Sequence, residues 1–431
     1  MVRNALLGLP VHDMDITSAM RMEDVRALCA AHGIGCTEKG AFFGTLDLAL
    51  GAWRFEYAAF RAERYGAGGA HRPEGVRFTQ SLEEDAFRRD FTVNALYYDI
   101  LSGQIVDPTG GLADLSARAI RATSPDPGVI LSVDGLRILR MARFAAELGF
   151  SVEGRTLAAA RANAAGVQDI AAERIRAELD KILLADIRYG LGSGRVLAGL
   201  FLLRETGALA VVLPEVAAGR GIAQRVEYHA YDVEEHMLRA CACAEPTRTA
   251  RLAALLHDVG KPVMVRKTGR MLGHDAAGAA LAADILRRFK YPNAVREEVV
   301  ALVRQHMYDL NGNAKESTLR RRFALWGAPF TLALAGLREA DVHGSGRIAG
   351  EVKSAARWRA VLARDAAGGA PLSAEELRCT GSDIMAWLGI PASPRVGAIK
   401  RALLLHCACH PRDNVPERLQ KIARDIGGLR G

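Results

Sequence analysis

The hydrophobic pattern changes character once along the chain, and that change limits the folds open to it. Up to about Asp126, short β-forming runs alternate with helical ones. From Leu131 onward, apolar residues recur at helical spacing almost everywhere. Residues 43–50 and 55–60 read as strands, 64–75 (RYGAGGAHRPEG) as a glycine-rich loop, and 103–112 (GQIVDPTGGL) as a strand end and turn. Leu136, Leu139, Ala142, Phe144 and Leu148 lie on one helical face, as do Ile175, Leu179, Ile182 and Leu183. Pro214 and Gly219 mark a joint near residue 220; a second helical block runs to about 345, and Gly368-Gly369-Ala370-Pro371 precedes a last helical region. The expected fold class is α+β, a small mixed α/β head followed by an all-α body, divided at 1–126, 127–220, 221–345 and 346–431. At roughly 150 residues per domain, 431 residues accommodate this.

Composition narrows the function classes. Hydrophobic residues make up 50% and charged residues 25%, which excludes bulk disorder. Lys and Arg number 57 against 49 Asp and Glu, a net charge of +8 that favours a polyanionic partner. No apolar run approaches the ~20 residues needed to cross a bilayer, and Arg3 and Asn4 do not fit a signal-peptide layout. Seven scattered cysteines (29, 36, 241, 243, 379, 407 and 409) are not a disulfide framework, so a reducing cytoplasm is expected, with no membrane partner.

His12-Asp13-Met14-Asp15-Ile16 places two carboxylates at i and i+2. On a strand these share a face, and such a pair suits Mg²⁺ ions carrying nucleotide phosphates, or else is a solvated strand end. Three further segments give it context: Val2-Arg3-Asn4-Ala5-Leu6-Leu7-Gly8, Arg88-Arg89-Asp90-Phe91-Thr92-Val93-Asn94-Ala95, and Asp134-Gly135-Leu136-Arg137-Ile138-Leu139-Arg140-Met141-Ala142-Arg143-Phe144. Together they resemble the class II tRNA nucleotidyltransferases, the CCA-adding enzymes and their bacterial poly(A) polymerase relatives. The resemblance extends to Thr380-Gly381-Ser382-Asp383 and Pro394-Arg395-Val396-Gly397.

That resemblance implies a polymerase-beta-like head that adds C, C and A to the 3′ end of tRNA from CTP and ATP with Mg²⁺. Asp13 and Asp15 would hold the metal, with Glu56 a candidate third carboxylate. Arg3 and Arg89 would contact the incoming nucleotide, with Asp90 and Asn94 buttressing the turn. Asp134 and Arg137 share a helical face at i and i+3; one accepts and the other donates, so together they would read the base edge. Arg140 and Arg143 continue the stripe and would hold base and phosphates. The loop at 64–75 would take part in the switch from C to A addition. Met1 stands where the family has a strand and a Gly-Gly pair, so the expectation is a shortened head or a start site upstream. Asn4 replaces the usual Asp, and Val133-Asp134-Gly135 replaces Glu-Asp-Pro.

A second constellation comprises His236, His257-Asp258 followed by Val259-Gly260-Lys261, then His274, His306 and Asp341. It resembles the HD phosphohydrolases and implies a second divalent metal held by His236, His257, Asp258 and Asp341. His274 and His306 would contact phosphate or complete the site. His406-Cys407-Ala408-Cys409-His410 and Cys241-Ala242-Cys243 fit no zinc spacing. Arg320-Arg321-Arg322, Arg287-Arg288-Phe289-Lys290 and Lys400-Arg401 are candidate tracks for a tRNA backbone, or solvated helix faces. The alternatives are a CC-adding, A-adding or poly(A)-adding enzyme, and a metal-dependent phosphohydrolase with a non-catalytic RNA-binding head.

Overall fold

The structure, a computed structural model, describes residues 1–11, 14–64, 75–192 and 194–428. The chain divides into two compact units: Met1–Ala218 with Arg288–Lys290, and Gly219–Arg287 with Tyr291–Gly431.

The first unit opens with a short helix, α1 (Val2–Leu6), and a four-stranded mixed sheet. Strand β1 (Asp15–Ser18) runs parallel to β4 (Trp53–Ala59); β3 (Thr45–Leu50) and β2 (Gly35–Gly40) follow antiparallel. One face is apolar. Leu46, Leu48 and Tyr57 pack under α2 (Met22–Ala31) through Val25 and Cys29. That burial sets the register, because a one-residue slip would turn these side chains to the other face.

The strands expected at 43–50 and 55–60 are β3 and β4. The loop expected at 64–75 lies between the paired strands Arg61–Arg64 and Gly75–Phe78, and residues 65–74 fall outside the described residues. Beyond it, the helix Leu136–Leu148 is buried on nearly every side. It packs against the helices Ala172–Leu183 and Arg195–Thr206. A helix so enclosed must carry its charged residues as paired ones, and this one does.

The second unit is all helical among its described residues. Its first part contains the helices Val233–Cys243, Arg248–Leu256, Lys261–Thr268, His274–Arg288, Asn293–Gln305 and Ala328–Gly344. Helices Val233–Cys243 and Ala328–Gly344 cross very closely: a Cβ on Gly344 would stand 2.5 Å from the Ala240 backbone. The C-terminal helices Gly381–Leu388, Pro394–Cys409 and Pro416–Gly428 share a core of Ile384, Leu403, Cys407 and Leu419. Cys407 is therefore a packing residue. The architecture is the expected mixed head with a helical body.

Candidate functional site

In the head, Asp15 opens β1 and is exposed; its register partner on β4 is Glu56, which in turn pairs with Asp47 on β3. Register partners share a face, so three carboxylates form a row across the sheet. The Lys39 ammonium bridges the far end, bonded to Glu56 and 3.5 Å from Asp47. Asp13, the expected partner of Asp15, lies with His12 outside the described residues.

The three motif segments meet around Asp90. Its carboxylate accepts from the Phe91 amide (2.8 Å), Asn94 Nδ2 (3.0 Å) and Arg140 Nε (2.7 Å). Asn94 Oδ1 in turn accepts from Arg3 Nη1 at 2.5 Å. Burial opposes the charge on Asp90, but Arg140 and these donors outweigh it and hold the pKa down at about 2. Arg3, Arg140 and Arg143 all lie against the Phe144 ring, at 5.0, 5.3 and 4.0 Å from its centroid. Arg143 is buried and pairs with Glu178 at 3.1 Å.

The remaining expected contacts of the head are placed as follows. Arg89 donates to the buried Asp85 and lies over the Tyr97 ring. Arg137 is buried and donates to the carbonyls of Ile130 (3.1 Å) and Arg88 (2.7 Å), which ties its helix to the Arg-Arg-Asp turn. Asp134 accepts from the Leu136 amide and pairs with Arg174 at 3.4 Å.

In the second unit, six side chains converge on one buried point. His236 follows an N-terminal turn capped by Asp232. His257 and Asp258 end the helix that Thr247 caps, and Pro262 restarts the chain as a new helix. His236 Nε2 stands 3.1 Å from His257 Nε2, 3.3 Å from Asp258 Oδ2 and 3.2 Å from Asp341 Oδ1. Arg338 holds the other oxygen of Asp341 at 2.7 Å, which turns Oδ1 toward the histidines. His274 and His306 approach the opposite oxygen of Asp258. Lys261 Nζ lies 2.5 Å from Asp258 Oδ2 and donates to Gln224.

The electrostatics fit a cation site. Burial pushes His257 down, but Asp258 and Asp341 outweigh it and raise it to about 10. Burial opposes ionisation of Asp258 and Asp341, yet their neighbours hold both well below the usual carboxylate range. His229, stacked edge-on against His236, is pushed down to about 4 by burial and by His236. Imidazole nitrogens and carboxylate oxygens in this arrangement are the donor set of a divalent transition metal.

Comparisons with known proteins give the family. A model described as the poly A polymerase head domain matches residues 1–121, one described as a probable RNA- and SrmB-binding site of polymerase A matches 149–219, and an HD domain matches 225–343. An A-adding tRNA nucleotidyltransferase of Deinococcus radiodurans is 34% identical over 420 residues, 93% of this chain and 88% of that protein. The chain belongs to the tRNA nucleotidyltransferase and poly(A) polymerase family. A multifunctional CCA protein of Chromobacterium violaceum, 36% identical, covers 69% of this chain and 70% of its own length. Among solved structures, the Bacillus stearothermophilus CCA-adding enzyme in complex with CTP aligns with a TM-score of 0.70 at 27% identity, over all of this chain and 92% of that one. The chain is thus a nucleotidyltransferase of the CCA-adding family, a family dependent on divalent metal. No helix among the described residues is long and apolar enough to cross a membrane.

Several residues of this nucleotidyltransferase escaped sequence reasoning. Asp47 joins the carboxylate row only through strand register, and Lys39 reaches it from the irregularity in β2 between Glu38 and Gly40. Asp85 is the buried anchor of Arg88, Arg89 and Tyr97. Its one sequence cue is its position three and four residues ahead of the two arginines. Phe144 was legible as an apolar helix position, not as a ring gathering three guanidinium groups.

Proposed function

We propose that the chain builds the CCA end of tRNA from CTP and ATP, selecting each base with protein side chains. The observation that carries this reading is the continuous link Arg3–Asn94–Asp90–Arg140. It joins α1, the Arg-Arg-Asp turn and the Leu136–Leu148 helix into one cationic cradle beside Phe144. In this reading Arg3, Arg89, Arg140 and Arg143 hold the nucleotide, while Asp134 and Arg137 read its base. Arg137 then has to release the Arg88 carbonyl when a base arrives. Asp13 and Asp15 hold Mg²⁺, and the oxygen-rich edge of Asp15 and Glu56 suits that hard cation. Bound there, the metal neutralises triphosphate charge and favours ionisation of the terminal 3′-hydroxyl.

Residues 1–126 are the proposed head, 127–220 the selecting neck, 221–345 the HD domain and 346–431 the tRNA-binding tail, in a cytoplasmic enzyme. In the HD domain His236, His257, Asp258 and Asp341 hold a divalent metal suited to phosphohydrolysis. A second reading, A-only addition, is favoured by one observation: the relative that matches nearly the whole chain is named A-adding.

Three tRNA transcripts decide between these readings, one lacking CCA, one ending in C and one ending in CC. Each is incubated with Mg²⁺ and labelled CTP or ATP. Extension of all three to CCA, lost in the Asp13→Ala/Asp15→Ala variant, is the expected result. Extension of the CC-ended transcript alone makes the chain an A-adding enzyme. Failure on every transcript overturns nucleotidyl transfer by this chain.

A further inference from the structure

Of the four arginines proposed to hold the nucleotide, three face a carboxylate of the same chain. Arg89 donates to Asp85, Arg140 donates to Asp90, and Arg143 pairs with Glu178. Arg3 is held differently. Among the described residues its guanidinium donates to two amide oxygens. Asn4 Oδ1 receives Nε at 3.0 Å and Nη2 at 2.8 Å, and Asn94 Oδ1 receives Nη1 at 2.5 Å. We infer that Asn4 is a positioning residue for the nucleotide's triphosphate: its neutral oxygen orients Arg3 and leaves the positive charge for phosphate. This rests on the reading of Arg3 as a residue that holds the incoming nucleotide.

The orientation of the Asn4 amide is fixed from its other side. Asn4 is buried, and its Nδ2 lies 2.9 Å from the Pro10 carbonyl and 3.1 Å from the Tyr189 hydroxyl. A carbonyl only accepts, so the atom facing Pro10 is the NH₂ group and the oxygen faces Arg3. An aspartate would match this site in shape and fail it in chemistry. One of its oxygens would face the Pro10 carbonyl with no proton between them. The other would set a negative charge against Arg3. The amide meets two demands that a carboxylate cannot meet together: a donor toward Pro10 and Tyr189, and a neutral acceptor toward Arg3.

The geometry leaves Arg3 oriented but not neutralised. Its three hydrogen bonds use three of the five N–H groups of a guanidinium, so two remain for an anion. The Phe144 ring, 5.0 Å away, lies against it and restricts its plane. Glu147 and Asp90 act on it only through space. A charge-assisted bond to phosphate is stronger when no carboxylate already occupies the guanidinium. Arg3 is also half-buried, where added charge is screened less than at an open surface.

The test compares the full wild-type chain with Asn4→Asp. Calorimetry measures binding of inorganic tripolyphosphate without Mg²⁺ at low and high salt. Steady-state kinetics with Mg²⁺ and primer tRNA give kcat and KM for CTP and ATP. Tripolyphosphate should bind about tenfold more weakly to Asn4→Asp at low salt, and the gap should narrow at high salt. KM should rise by a similar factor for both nucleotides, because phosphate rather than base is affected, with kcat changed less than about twofold. A merely structural role would lower kcat or give a gap that salt does not alter, and either result would overturn the inference. Asn4→Ser keeps the site neutral; it should bind tripolyphosphate more weakly by a smaller factor that salt leaves constant. Thermal melts report whether each variant folds. Should Asn4→Asp not fold, Asn4→Ser decides, and wild-type affinity in it would overturn the positioning role. Equal tripolyphosphate affinity in wild type and Asn4→Asp would overturn the inference even in a chain that extends tRNA, as would a wild type that binds no tripolyphosphate. A wild type that extends no transcript, yet binds tripolyphosphate with the expected loss in Asn4→Asp, would remove the proposed activity and leave the Arg3–Asn4 anion site standing.

Discussion

At the scale of single residues, Asp90 carries more of the head than its neighbours do. It is the one carboxylate that receives Arg140, Asn94 and the Phe91 amide together, and through Asn94 it places Arg3. A hydrogen bond to a charged group contributes about 1.5–3 kcal/mol, so Asp90→Asn should lower nucleotide addition by roughly ten- to a hundredfold. The loss is expected mostly in KM for the nucleotide, because the cradle is disturbed rather than the carboxylates proposed to hold Mg²⁺. A variant with wild-type KM would sink that role. The same residue predicts an acid response. Its folded pKa lies at about 2 against 3.8 in the absence of the fold. Its stabilising share is therefore complete above pH ~4 and lost as the pH falls toward 2, amounting to about 2 kcal/mol. Denaturant melts between pH 5 and 2 should show a shallower decline in Asp90→Asn than in the wild type. Parallel curves would mean that Asp90 is as easily protonated folded as unfolded.

At the scale of elements, the second unit depends on how closely two helices approach. His236 and Asp341 lie on helices Val233–Cys243 and Ala328–Gly344, which meet at Ala240 and Gly344. Gly344→Ala forces a methyl group into that contact, and overpacking of this kind costs about 1–3 kcal/mol. The variant should melt lower and, on the proposed metal reading of the HD domain, retain less metal, since the 3.2 Å spacing of His236 and Asp341 depends on the crossing. Undiminished melting would show that the crossing relaxes at no cost. Arg251 serves the same helix at its C-terminal end, next to Ala240. Buried, it donates to the carbonyls of Cys241 and Ala242 at 3.0 Å each. Arg251→Met removes these donors from a helix C-terminus and should cost about 2–3 kcal/mol in a denaturant melt. An unchanged midpoint would mean that other donors take over those carbonyls.

Neither device was visible in the sequence, where Gly344 and Arg251 look like any helix residues. What sequence did show were features with a local period. Strands β3 and β4 follow from alternation, and the buried Leu136–Leu148 helix from its apolar spacing. Strand β2, Gly-Cys-Thr-Glu-Lys-Gly, has no apolar alternation and exists because β3 pairs with it. The row Asp15–Glu56–Asp47 depends on parallel and antiparallel register between distant segments, which no local pattern encodes. The arginine stripe of that helix was legible as a stripe. Its three different destinations, backbone carbonyls for Arg137, Asp90 for Arg140 and Glu178 for Arg143, were set by tertiary packing.

At the scale of the whole molecule, the count of 57 Lys and Arg overstates what faces a polyanion, because much of the arginine is paired with carboxylates of the same chain. Arg320, the first of a run of three, donates to the buried Asp365 and pairs with Glu316. Arg288 is held by Glu215, and Arg287 by Asp284. Arg401, by contrast, is exposed on the helix Pro394–Cys409, with Lys400 beside it. The two kinds of cation should separate in one experiment. Each phosphate contact contributes a slope of about 0.7–0.9 to the dependence of log affinity on log salt. Lys400→Glu/Arg401→Glu should therefore weaken tRNA binding at low salt and flatten the salt slope by up to about 2, leaving the melting temperature nearly unchanged. Arg320→Gln should do the reverse, because it strands Asp365 in the core: the slope stays and the melt falls by several degrees, as a loss of about 2 kcal/mol requires. Filter-binding titrations of tRNA across a salt series, with a thermal melt of each variant, give both readouts. If the Lys400/Arg401 variant keeps the wild-type slope, the tRNA backbone does not run along this helix, and the cationic cradle of the head carries the attraction instead.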